Sequence, residues 1–285
     1  MSALKPELQN SVREDAASAL REDMGSGDVT ALLVPDNQHA EATVIVREPA
    51  VICGQAWFDG VFDLLDAGIT VNWAVEEGAA VQADDVICTV TGRARAILTG
   101  ERSALNFLQT LSATATAAKA FSVAIADTDT VILDTRKTIP GLRLAQKYAV
   151  RTGGAQNHRI GLYDGILIKE NHIFSAGGVT QAVNAARALE SGVLIEVEVE
   201  NLDEAREAME AGAERLLLDN FKPDDMRAAV ELRNQRYDDI TLEASGGVTI
   251  DNVADIATTG VDYISIGGLT KDIRAIDFSM RFRVT

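Results

Sequence analysis

Cysteine is almost missing from this sequence, and its scarcity closes several possibilities at once. Only Cys53 and Cys88 occur in 285 residues. Each lies in an apolar, strand-like stretch, which suits a buried free thiol and leaves nothing for a disulfide framework or a thiolate metal site. A reducing compartment, the cytoplasm, is the expectation. Long apolar runs are missing too. Nowhere do about 18 apolar residues follow one another, so neither a membrane span nor a membrane partner is expected. Lys5, Glu7, Arg13, Glu14 and Asp15 crowd the start of the chain, where a signal peptide needs an apolar core. Positive charge is in short supply, with 26 Lys and Arg against 43 Asp and Glu and a formal net charge of -17. Nucleic-acid binding draws its affinity from cations at phosphates, so that class of partner is disfavoured. A small anion answers only to local charge.

What is present is a globular composition, 47% hydrophobic and 24% charged, enough to bury one large domain or two unequal ones. Residues 11–24 place Val12, Ala16, Ala19, Leu20 and Met24 at amphipathic-helix spacing. The stretches Ala42–Arg47, Val51–Cys53, Thr70–Val75 and Val86–Val90 read as strands around a helix near Trp57–Leu65, a mixed α+β unit. From Gly100 the pattern changes to a long helix, about Glu101 to Ala126, and then to strands alternating with helices. The predicted strands are Thr130–Lys137, Gly165–Asn171, Leu194–Glu200, Arg215–Phe221, Ile240–Gly246 and Tyr263–Leu269. That alternation implies parallel βαβ units, closed into an α/β barrel or wound into an open sheet. The dinucleotide fold needs G-x-G-x-x-G directly after its first strand, which is absent. A barrel demands functional side chains at the C-terminal ends of several strands, and these are present.

Read in order, the strand ends carry Arg136 with Lys137, then Lys169, Glu198, Asp219, Ser245 with Gly246, and Gly267 with Gly268. From Thr135 to Lys169 there are seven basic residues against one acid, Asp164, together with His158. Arg143, Lys147 and Arg151, four apart, equally suit a solvated helix face. Arg136, Lys137, Arg159 and Lys169 lie off that stripe and suit carboxylate and phosphate oxygens. Glu198 and Asp219 end neighbouring strands and are placed to share a Mg²⁺ held mainly through substrate phosphates; their plainer role is to pair with nearby cations. Glu196 and Glu198 share one face of a buried strand, where an acid requires a partner. The turns Ser245-Gly246-Gly247 and Ile266-Gly267-Gly268 follow the last two strands, where barrels often seat a phosphate.

Several segments together resemble the quinolinate phosphoribosyltransferases. They are Glu101-Arg102-Ser103-Ala104-Leu105-Asn106, Asp134-Thr135-Arg136-Lys137-Thr138-Ile139-Pro140-Gly141, Asn157-His158-Arg159-Ile160-Gly161-Leu162, Leu167-Ile168-Lys169-Glu170-Asn171-His172 and Glu196-Val197-Glu198-Val199-Glu200. The resemblance spans nearly the whole chain. It implies an α/β protein with an N-terminal α+β sandwich domain, residues 1–110, and an open, incomplete α/β barrel, residues 111–269, with the tail 270–285 returning to the first domain. It also implies a homodimer in which Arg102 enters the neighbouring active site. By resemblance, Arg136, His158, Arg159 and Lys169 bind quinolinate and Lys137 stands near the reacting centre. Glu198 and Asp219 engage the ribose hydroxyls and Mg²⁺-pyrophosphate, and Ser245, Gly246, Gly247, Gly267 and Gly268 hold the 5′-phosphate. Lys271 and Gly268 depart from the commonest family pattern, which has His and Ala there.

The implied reaction joins quinolinate to phosphoribosyl pyrophosphate, giving nicotinate mononucleotide, pyrophosphate and carbon dioxide. Three rivals stand beside it: a phosphoribosyltransferase for nicotinate or another pyridine, a class I aldolase using Lys137 or Lys169 as a Schiff base, and a non-catalytic anion-binding barrel. No strand ends in paired acids followed by Thr-Gly-Gly, which argues against the nucleotide-type phosphoribosyltransferases.

Overall fold

A computed structural model of the chain describes residues 4–284. They fall into two units. One comprises the chain up to Lys119, Thr138–Gly154 and the chain from Leu269 onward; the other comprises Ala120–Lys137 and Ala155–Gly268. The stretch 138–154, which the sequence reading includes in the barrel segment 111–269, folds with the first unit.

The first unit contains, in order, α1 (Pro6–Met24), β1 (His39–Val46), β2 (Ala50–Val51), α2 (Gln55–Leu65), β3 (Thr70–Trp73), β4 (Ala80–Val81), β5 (Val86–Arg93), most of α3 (Ala94–Ala124) and α4 (Arg143–Thr152). Helix α1 starts with proline at its first position, where no intrahelical N–H is lost, and buries Leu8, Val12, Ala16 and Leu20, one residue per turn on a single face. In β1 the residues Ala40, Ala42, Val44 and Val46 are buried while their neighbours are not, the period-2 pattern of a sheet covered on one side. That strand is central: β5 and the C-terminal strand Phe278–Val284 both pair with it antiparallel, and β3 flanks β5. Trp57, Phe58 and Phe62 from α2 are wholly buried in the core, each worth about 2–3 kcal/mol in apolar area removed from water. Gly100 allows α3 to approach that helix, because a Cβ there would lie 2.7 Å from the Phe62 ring.

The second unit is a six-stranded parallel sheet. Its strands and helices are β6 (Val131–Leu133), β7 (Ile166–Ile168), α5 (Glu170–Ala176), α6 (Val179–Ala188), β8 (Ile195–Val199), α7 (Leu202–Ala211), β9 (Arg215–Asp219), α8 (Pro223–Arg236), β10 (Thr241–Ser245), α9 (Val253–Ala257) and β11 (Tyr263–Ser265). The order across the sheet is β6-β11-β10-β9-β8-β7, with every pairing parallel. Leu216, Leu218, Val197, Val199, Leu242 and Ala244 are buried, as strands covered on both faces require. Among the described residues no ladder joins β6 to β7, so the ring of strands is incomplete. Beside β6 runs a short stretch with a single bridge, Leu133 to Gln156. The strands are shorter than their predicted spans: β6 ends at Leu133 rather than Lys137, and β7 ends at Ile168 because Lys169 is already the N-cap of α5. Among the described residues no helix is long and apolar enough to cross a membrane.

Candidate active site

Five of the six parallel strands, together with the loop after β6 and the segment beside it, send side chains to one cavity of about 320 Å³, lined by Thr135, Arg136, Lys137, His158, Arg159, Leu167, Lys169, Glu198, Leu217, Asp219, Glu243, Ser245 and Ser265. Strand geometry explains the pairs. Leu217 with Asp219 and Glu243 with Ser245 are two residues apart and so face the same way. Arg136, Lys137, His158, Arg159, Lys169, Glu198, Asp219 and Ser245 were named from the sequence, and all eight border this one space.

The loop after β6 is fixed by a buried acid. Asp134 is 0% exposed; one of its oxygens accepts the His158 backbone N–H at 2.9 Å and the other accepts the Asn157 amide at 2.6 Å. Thr135 Oγ1 accepts the Lys137 N–H at 3.1 Å. The Lys137 stem then lies against Gly267, where a Cβ would sit 2.9 Å from Lys137 Cδ. Gly267 thus leaves room for the lysine. Lys169 pairs with Glu198 Oε2 across β7 and β8, and its backbone N–H is accepted by His172 Nδ1 at 3.0 Å. Asp219 Oδ2 accepts from the Asn220 amide at 2.8 Å.

Gly246 and Gly247 follow β10 at φ +98° and +60°, in the left-handed region. A Cβ on Gly246 would fall 2.1 Å from Asn220 Oδ1. The turn is braced by Asn252, whose oxygen accepts the Thr249 N–H at 2.8 Å and whose amide donates to the Gly247 carbonyl at 3.0 Å. Arg102 is an exposed residue of α3 in the first unit.

Electrostatics concentrate around His158. Its Nε2 is 2.9 Å from Glu196 Oε2 and 3.4 Å from Glu243 Oε2. Burial pulls this imidazole down, while the two carboxylates pull it up. Burial, then the neighbouring Glu243, pushes the Glu196 carboxyl up. Glu243 is held below its ordinary value despite burial, by His158, Ser265 and Arg215. Burial and the nearby Arg136 lower Arg159.

Glu243, Ser265, Thr135, Leu167 and Leu217 were missed from the sequence. For Glu243 a signal existed: an acid between Leu242 and Ala244 in a strand core needs a buried partner, the argument that flags Glu196.

The chemistry this surface supports is recognition of a polyanion. Cations from the loop after β6, its neighbouring segment and the residue that follows β7 face two carboxylates on β8 and β9, beside a glycine turn after β10. A Schiff-base role for Lys169 fits poorly, because its ammonium is engaged by Glu198.

Two family models match nearly the whole chain: "Quinolinate phosphoribosyl transferase, N-terminal domain" over residues 28–112 and "Quinolinate phosphoribosyl transferase, C-terminal domain" over residues 114–281. A probable nicotinate-nucleotide pyrophosphorylase [carboxylating] of Bacillus subtilis is 41% identical over 260 residues, covering 91% of this chain and 89% of its own. The Mycobacterium leprae nicotinate-nucleotide pyrophosphorylase [carboxylating] is 40% identical over 278 residues, covering 95% and 97%. Among solved structures, the nicotinate-nucleotide pyrophosphorylase from Francisella tularensis superposes with a TM-score of 0.92 at 45% identity, over 96% of this chain and 97% of that one.

Proposed function

The chain belongs to the quinolinate phosphoribosyltransferase family, and from that premise we propose that it transfers the phosphoribosyl group of phosphoribosyl pyrophosphate to quinolinate in the cavity of the parallel-strand unit. The products are nicotinate mononucleotide, pyrophosphate and carbon dioxide, a step of NAD biosynthesis. The observation that carries the reading is the convergence of Arg136, Lys137, Arg159 and Lys169 with Glu198 and Asp219 around one cavity.

In the reaction the pyridine nitrogen forms a bond to C1 of the ribose as the bond from C1 to the pyrophosphate oxygen breaks, its electron pair leaving with pyrophosphate. Positioning and fixed charge supply most of the rate. Arg136 and Arg159 bind the quinolinate carboxylates and hold the ring nitrogen toward C1. Lys137, lying along Gly267, faces the charge that develops on the leaving group. Glu198 and Asp219 bind the ribose hydroxyls and offset the positive character at C1. Lys169, paired with Glu198, links the substrate's carboxylate side to its ribose side. The turns at Ser245-Gly246-Gly247 and Gly267-Gly268 offer backbone N–H groups to the 5′-phosphate. Once quaternised, the ring nitrogen takes up the electron pair freed when the bond to the adjacent carboxylate breaks, carbon dioxide departs, and that ring carbon is then protonated.

The carboxylates of Glu198 and Asp219 are hard oxygen donors on the cavity wall, which fits a Mg²⁺ shared with the diphosphate of the substrate. Glu198 and Asp219 would hold such an ion, which would supply charge neutralisation for the diphosphate. We further propose a cytoplasmic homodimer, with Arg102 on the exposed face of α3 contributed to the neighbouring active site.

Incubating the protein with quinolinate, phosphoribosyl pyrophosphate and Mg²⁺ should release carbon dioxide and pyrophosphate in equal amounts. Nicotinate in place of quinolinate should support little turnover. Equal turnover of both substrates would contradict the assignment.

A further inference from the structure

The reaction scheme leaves one group of charged side chains without a task. Glu196 on β8 and Glu243 on β10 are 2% and 0% exposed. Between them in the sheet stands Arg215 on β9, in register with Glu196. Its Nη1 lies 3.5 Å from Glu243 Oε2, its Nε donates to Thr241 Oγ1 at 3.2 Å, and its guanidinium stacks 4.1 Å above the Tyr263 ring. His158 meets both acids through Nε2, while its Nδ1 accepts the Arg159 backbone N–H at 2.8 Å. Arg159 in turn donates from Nη1 to the Gly165 carbonyl at 3.1 Å.

Two roles compete for this group. The ligand atoms of His158, Glu196 and Glu243 lie within 4.8 Å of one another, close enough for a metal ion. The guanidinium of Arg215 already sits against Glu243, however, and a divalent ion placed there would face it across a few ångströms, which works against binding. The second role is mechanical. Both nitrogens of His158 are turned to protein, one into the sheet and one to a backbone N–H, so the ring links the buried acids to Arg159.

We propose that Glu243 is a positioning residue which, together with Glu196, acts through His158 on Arg159. The carboxylates hold Nε2 inward, Nδ1 thereby stays aimed at the Arg159 N–H, and the Arg159 guanidinium is fixed at the cavity wall where it meets a carboxylate of the pyridine substrate. The inference rests on the function proposed above and assigns that site a buried support. The two acids pull the ring toward the imidazolium, but a protonated Nδ1 cannot accept the Arg159 N–H, so that 2.8 Å contact opposes the pull and leaves the ring's one proton on Nε2, facing the carboxylates. The charged groups that face the ring are Glu196 from β8, Glu243 from β10, Arg215 from β9 and Asp134 from the loop after β6, whose carboxylate takes the His158 N–H.

The test is Glu243→Gln in the full chain, which keeps shape and removes charge. The expected result is a rise in KM for quinolinate of about tenfold or more, with kcat and the KM for phosphoribosyl pyrophosphate changed by no more than about threefold. The chain has three histidines, His39, His158 and His172, so ¹⁵N-histidine spectra can follow His158 directly, its signals identified by their loss in His158→Ala. Wild type should show Nε2 protonated and Nδ1 accepting, and Glu243→Gln should shift both signals. Unmoved ring signals with an unchanged quinolinate KM would overturn the proposal, as would equal losses on both substrates. If Glu243→Gln does not fold, Arg215→Lys, which loses the stacking and the fork, is held to the same outcomes. A wild-type protein that releases no carbon dioxide from quinolinate would sink the activity instead, and the ring signals would still report on Glu243.

Discussion

Asp134 and His158 are joined by a 2.9 Å hydrogen bond from the His158 backbone N–H to a carboxylate that is 0% exposed. This bond, with the Asn157 amide on the other oxygen, brings the Asp134-Thr135-Arg136-Lys137 and Asn157-His158-Arg159 segments side by side. Asp134→Ala strips a half-buried N–H and a half-buried amide of their acceptor. It should destabilise the protein by about 2–4 kcal/mol and weaken quinolinate binding, as read by denaturant unfolding and calorimetry. Loss of binding without loss of stability would show that the bond matters only to the ligand.

Glu198 and Asp219 face the cavity from neighbouring strands. Glu198→Ala and Asp219→Ala should lower kcat by about a hundredfold or more and change quinolinate affinity far less. Equal loss of turnover and quinolinate affinity, measured by steady-state kinetics and calorimetry, would contradict a role at the ribose and leaving group.

Gly246 holds φ +98° with Asn220 Oδ1 where its Cβ would be. Gly246→Ala therefore strains the backbone and displaces Asn220, costing about 1–3 kcal/mol. The KM for phosphoribosyl pyrophosphate should rise while that for quinolinate stays nearly constant, since this turn serves the phosphate. A raised quinolinate KM alone would move the phosphate site elsewhere.

Asp59 carries a pH dependence unrelated to catalysis. Burial pushes its carboxyl up to about 7, although the Trp73 indole donates to both its oxygens at 3.0 and 3.2 Å. The folded state therefore keeps a proton that the unfolded chain releases near the ordinary carboxyl value of 3.8, and stability falls as pH rises between those values. Asp59→Asn keeps an acceptor for the indole and escapes the cost. It should be the more stable protein by about 1–3 kcal/mol at pH 8, with no advantage at pH 3, as thermal unfolding across that range would show.

Much of the site was readable because parallel strands deliver their ends to one rim. Arg136, Lys169, Glu198, Asp219 and Ser245 needed only the alternation of strands and helices to be placed together. Strand lengths were less readable. Asp134 looks like part of β6 by sequence, yet its inward carboxylate ends the strand and starts the loop. Residues 138–154 follow a barrel strand in sequence and fold with the first unit, where the Gln146 side chain receives the Ile139 N–H at 2.8 Å and donates to the Thr270 carbonyl at 2.9 Å. Sequence spacing does not encode such a long-range bond. Glu243 was hidden for another reason: a lone acid in a strand core names its need for a partner but not which partner, and Arg215 and His158 are 28 and 85 positions away.

The lack of a ladder between β6 and β7 among the described residues has a bearing on how the protein tolerates change. His158 and Arg159 occupy the gap in the staves, pinned by side chains instead of by the regular stitching that secures their neighbours. Substitutions in that short span should retune which ring acids are accepted while the surrounding sheet keeps its shape, making the gap the natural place for substrate preference to drift.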